Sequence, residues 1–187
     1  MRCSELAPSD MKRAYLGDSY DAVKRLWQQL LASTAPLFAE PRFIPAELQS
    51  DFTQLTGIPI LPAQPPPTFS ILNDPDTGIR LPGEDNQSES RTHISIDSIL
   101  HQLQHQQPRC IITFDQSDYR HSDLGRDEQR LAKIRSLSQA GASAFYYVSH
   151  APFLFAFSSP DALQQIHALL TSAGVPATRL ETIDRNA

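Results

Sequence analysis

Apolar positions in this chain follow two rhythms, and each change of rhythm marks an element. Ala22, Val23, Leu26, Trp27, Leu30 and Leu31 recur every three to four residues, which predicts a helix with one apolar face. Ahead of it, Arg13-Ala14-Tyr15-Leu16 reads as a short strand that breaks at Gly17. Asp18, Ser19 and Asp21 crowd the helix start, where capping oxygens and negative charge suit exposed amides. From 33 to 68 the rhythm is lost. Pro36, Pro41 and Pro45 interrupt any long element, a short helix runs from Pro45 to about Leu55, and Gly57 ends it. Pro59, Pro62 and Pro65-Pro66-Pro67 then form a stiff extended spacer.

Phe69-Ser70-Ile71-Leu72 reads as a buried strand, and it stops at an abrupt polar corner, Asn73-Asp74-Pro75-Asp76-Thr77-Gly78. Residues 82–92 are polar and acidic, as in a surface loop or a lid over that corner. Ser95 caps a helix with Ile96, Ile99, Leu100 and Leu103 inward. His101 and His105 have the spacing that lets two imidazoles share a metal, but they fall opposite the apolar face and are expected to meet water. Cys110 to Phe114 is a further strand. A helix from about Asp127 turns Leu131, Ile134 and Leu137 inward and stops near Gly141. Ala144–Val148 and Phe153–Phe157 are joined so tightly that they must be antiparallel neighbours. Ser159-Pro160-Asp161 opens a helix carrying Leu163, Ile166, Leu169 and Leu170, and a short strand from about Thr178 to Ile183 follows. This alternation predicts one α/β domain over 11–187, behind a dispensable leader of ten residues. Its expected form is a three-layer, Rossmann-like domain with a mainly parallel sheet and an antiparallel strand pair near the C-terminus.

Composition narrows the function classes. With 187 residues, 40% hydrophobic and 20% charged, the chain is long enough for a real core. A net charge of -5 argues against a basic nucleic-acid clamp. Two cysteines, one of them within an apolar strand, imply no disulfide framework, and no apolar run approaches a membrane span. A cytoplasmic protein is expected, with no membrane partner.

The chemistry expected is that of carboxylates. If the strands lie side by side, their carboxyl ends gather Asp18, Asp21, Asp74, Asp76 and Asp115, in the region where open α/β sheets bind ligands. Converging carboxylates repel unless a cation or a shared proton relieves them, and oxygen-only ligation suits Mg²⁺ or Mn²⁺. Asp18, Asp74 and Asp115 are thus candidate metal ligands. Asp74, Asp76, Asp115 and His150 are candidate catalytic residues, His150 because imidazole is the side chain suited to proton transfer near neutral pH. Lys24, Arg120 and Gln116 are candidates for holding substrate. No Gly-x-Ser-x-Gly elbow, phosphate loop or Gly-x-Gly-x-x-Gly fingerprint occurs, and Cys110 lies mid-strand, which disfavours a nucleophilic hydrolase.

Asn73-Asp74-Pro75-Asp76-Thr77-Gly78-Ile79 resembles the Asp-Pro-Asp-x-Gly-Ile signature of a group of uncharacterised bacterial proteins. That group is in turn similar to the ribosomal RNA adenine methyltransferases with an Asp-Pro-Pro-Tyr motif. Gly17-Asp18-Ser19-Tyr20-Asp21-Ala22-Val23-Lys24 resembles their amino-terminal Gly-Asn-x-Ala-Asp-Val-Leu-Lys segment. The resemblance implies that Asp74 receives the target amine, that Lys24 is the amino-terminal lysine, and that S-adenosylmethionine is the cofactor. Asp76-Thr77 replaces Pro-Tyr, removing the ring on which a flipped base would stack. No glycine-rich cofactor turn lies between Ser33 and Phe69. Three readings follow: a methyltransferase-like domain acting on or binding nucleic acid or nucleotide, a Mg²⁺- or Mn²⁺-dependent phosphoesterase or nuclease, and a non-catalytic binding domain.

Overall fold

The computed structural model describes residues 15–82, 91–116 and 124–182. The expected leader, the candidate Arg120 and most of the proposed lid lie outside the described residues. Within them the chain forms eight strands and five α-helices. In chain order these are α1 (Ser19–Leu31), β1 (Leu37–Ala39), α2 (Gln49–Thr56), β2 (Ser70–Asn73), β3 (Gly78–Ile79), β4 (His93–Ile94), α3 (Ile96–His105), β5 (Ile111–Phe114), α4 (Arg126–Gln139), β6 (Ser143–Tyr147), β7 (Phe153–Phe157), α5 (Pro160–Ser172) and β8 (Leu180–Glu181).

The main sheet has the order β1-β2-β5-β7-β6-β8. The pairs β1–β2 and β2–β5 are parallel, while β5–β7, β7–β6 and β6–β8 are antiparallel. The sheet is therefore mixed. Four of its strands share one direction, and β7 runs against them between β5 and β6. β2, β5 and β7 are buried along their whole length, which explains their near-continuous apolar runs. Trp27 packs edge-on against Tyr147, Phe153 and Phe155, and so fixes α1 on the sheet. No helix among the described residues is long and apolar enough to cross a membrane.

Several expectations need correction. The strand placed over 13–16 does not extend to Tyr15 and Leu16, which lie in a helical and turn conformation. The first strand is β1 instead. It is three residues long and set between Pro36 and Pro41, too short for any alternation to show. Past the polar corner, Gly78 and Ile79 form a strand not expected from the sequence, β3, paired in parallel with β4. The last strand is only Leu180–Glu181, after a 3₁₀ turn at Ala177–Arg179. On α1 the buried positions are Asp21, Lys24, Trp27 and Leu31, whereas Leu26 is exposed. On α4, Leu131 is only partly buried and Lys133 takes the inward position with Ile134 and Leu137.

Candidate functional site

The parallel strands end at one rim. Asp74 follows β2 and Asp115 follows β5, and the register pairs Asn73 with Thr113. Both carboxylates therefore leave the sheet on neighbouring strands at the same edge. Each is met there by a buried lysine from a helix.

At the first, Lys24 Nζ donates to Asp74 Oδ2 at 2.9 Å and to Asp21 Oδ1 at 3.0 Å. The other Asp21 oxygen accepts from the Gly17 amide at 2.7 Å. The ammonium also lies 5.7 Å from the Phe52 ring centroid and 5.9 Å from that of Phe114. Burial alone would push the Lys24 pKa down. The charges of Asp74 and Asp21, with their hydrogen bonds, outweigh it and hold the group above its ordinary value.

At the second, Lys133 Nζ donates to Asp115 Oδ2 at 2.7 Å and the Tyr146 hydroxyl donates to the same oxygen at 2.6 Å. Asp115 Oδ1 accepts from the Ile79 amide at 2.8 Å. The last bond requires β3 to pass directly over the end of β5. A Cβ on Gly78 would lie 2.3 Å from Asp115 Oδ1 and 2.9 Å from its Cα, and Gly78 has φ +144°. Only glycine fits. The Asp-Pro-Asp-x-Gly-Ile stretch thus serves both clusters: Asp74 takes Lys24, while Gly78 and Ile79 close over Asp115.

The other candidates fall around this rim in different roles. Asp18 is the N-cap of α1, its Oδ1 accepting from the Tyr20 and Asp21 amides at 2.8 and 3.2 Å. Asp21, read as a cap from the sequence, is instead the second carboxylate on Lys24. Asp76 is exposed. His150 is also exposed, its ring centroid 5.9 Å from that of Tyr20. Gln116 Nε2 donates to the Tyr20 hydroxyl at 3.0 Å. Tyr20, not singled out in the sequence, therefore links the His150 and Gln116 candidates, one turn before Lys24. Of the three residues expected to share a metal, Asp18 accepts from capping amides through Oδ1, Asp74 from Lys24 through Oδ2, and Asp115 from Lys133, Tyr146 and Ile79. Among the described residues no group of three or more His, Cys, Asp or Glu side chains could hold a metal ion. Burial pushes the Cys110 thiol up to about 11, which suits a core residue and not a nucleophile.

A third polar group lies beside the second strand end. Asn73 and Gln102 exchange carboxamide hydrogen bonds of 2.8 and 3.1 Å, and Gln102 Nε2 also donates to Glu40 Oε2 at 3.3 Å. Glu40, which follows β1, thereby faces an open cleft of about 450 Å³ with Arg42, Asp97, Ser98, His101 and Gln102. The Arg42 guanidinium lies 4.5 Å over the Phe43 ring. This cleft opens beside the carboxyl end of β1, and Gln102 on its wall holds Asn73 at the end of β2. The sequence marks Asn73 only as part of the polar corner and does not single out Glu40 or Gln102, since nothing in their spacing links positions so far apart.

No protein-family model matches this chain, and no curated protein or solved structure matches it either.

Proposed function

We propose that this chain is a non-catalytic binding domain of methyltransferase-like, Rossmann-like architecture, whose ligand is a nucleoside-sized polar molecule held in the Glu40–Gln102 cleft. The observation that carries this reading is the position of Lys24. In the adenine methyltransferases to which the motif's own group is distantly similar, the acidic residue of the corner receives a target amine. Here Asp74 already receives one, the Lys24 ammonium at 2.9 Å, and Asp21 clamps it from the other side. Freeing Asp74 means breaking a buried ion pair, which is costly. The missing glycine-rich turn supports the same reading.

The cleft supports the ligand class. Its volume lies within the range of small-molecule sites, and Glu40 and Asp97 offer acceptors for the hydroxyls and amines of a nucleoside. Calorimetry with adenosine and with S-adenosylmethionine at millimolar concentration tests the reading, beside a methyl-transfer assay on adenine-containing RNA. The expected result is heat with adenosine that Glu40→Gln removes, and no methyl transfer. Methylated RNA would overturn the non-catalytic part. Absence of heat with both compounds would overturn the ligand.

A further inference from the structure

We infer that His101 and His105 form a two-imidazole chelate for a divalent transition-metal ion at the edge of the Glu40–Gln102 cleft. The inference does not depend on the binding reading above, because it rests on α3 alone. That helix buries Ile96, Ile99, Gln102 and Leu103, which leaves His101 and His105 exposed on another face. Four residues apart, they stand one above the other along the helix. Their ring centroids are 4.1 Å apart with planes at 62°.

Two nitrogens bound to one ion at about 2.0–2.1 Å lie on the order of 3–3.5 Å from each other at tetrahedral angles. Rings already in contact reach that separation by side-chain rotation, with no change in the backbone. Imidazole selects Zn²⁺, Ni²⁺ or Cu²⁺ over the hard, oxygen-seeking Mg²⁺ and Ca²⁺. Asp97, exposed and one further turn toward the start of the helix, adds negative charge to the approach without completing a three-residue centre. With two protein ligands, a four-coordinate ion keeps two positions for water or for another donor. Since His101 also lines the cleft, those positions lie at its rim.

Titration of the full chain with ZnCl₂, NiCl₂ and MgCl₂ by calorimetry tests the site. Zinc and nickel should bind with one ion per chain, and magnesium should give no heat. His101→Ala and His105→Ala should each weaken binding at least about tenfold, on the scale of losing a metal-site group. His150→Ala, exposed on another element, should leave it unchanged. All three positions lie at the surface, so the variants fold. Absence of zinc and nickel binding, equal binding by magnesium, or zinc binding that survives both helix variants would overturn the inference.

Discussion

Lys24 and Lys133 are both buried on the inward stripe of a helix, yet they differ in the carboxylates they hold and in their nearness to solvent. Lys133 meets Asp115, whose two oxygens also accept from the Tyr146 hydroxyl and the Ile79 amide. The side chains of the pair are 0% and 1% exposed. Lys24 bridges Asp21 and Asp74. These side chains sit closer to solvent, at 7–8% exposure. Taking charge out of water is costly, and the cost is greatest where the seal is tightest. Asp115 is sealed in the core with donors on both oxygens, whereas the Lys24 cluster sits where water still reaches its edge.

Removing the ammonium from the sealed cluster should have the largest effect. Lys133→Met leaves Asp115 charged in a place closed to water, and the expected loss is about 3–5 kcal/mol in urea unfolding. Lys24→Met should cost less, because Asp21 and Asp74 can draw water at the rim. Equal losses, or a greater loss at Lys24, would break the distinction between sealed and rim clusters. Next comes Gly78→Ala. It adds a Cβ 2.3 Å from Asp115 Oδ1 at a backbone conformation that favours glycine, so a loss of about 2–3 kcal/mol is expected. Combining it with Lys133→Met should give less than the sum of the two, since both act through Asp115. Strict additivity would show that β3 does not close that cluster.

The same two clusters explain what could be read from the sequence. Helices α3 and α5, strands β2, β5, β6 and β7, and the polar corner after β2 were legible, because apolar period, capping serines and Pro/Gly punctuation agreed locally. Ser95 and Ser159 cap the helices they were expected to start. β1 was hidden by its length and its flanking prolines. The site was legible only in part. Asp74 and Asp115 were recognised as strand-end carboxylates, but their lysines were not recognised as buried. By sequence alone Lys24 is a candidate for holding substrate, and Lys133 is not singled out. A signal existed in both helices. Lys24 lies three residues before Trp27 and Lys133 four before Leu137, in step with the buried stripe. A charged residue in that register has a buried partner as its simplest explanation. Which carboxylate answers it depends on strand order, which no local pattern encodes.

The smallest effect, and the one that bears most closely on Lys24, concerns alkaline pH. The folded-state pKa of Lys24 is raised although burial by itself opposes this, so the folded chain holds that proton more tightly than the unfolded one. The stability this confers is complete below the unfolded lysine value of about 10.4, and it is lost as pH rises through the folded value. Other lysines and tyrosines titrate in the same range, so the useful quantity is the stability difference between the wild type and Lys24→Met. That difference should stay flat from about pH 7 to 9 and shrink at higher pH. A gap that widens above pH 10 would mean that Asp21 and Asp74 do not hold the proton on Lys24. It would also remove the reason for regarding the Asp74 corner as occupied.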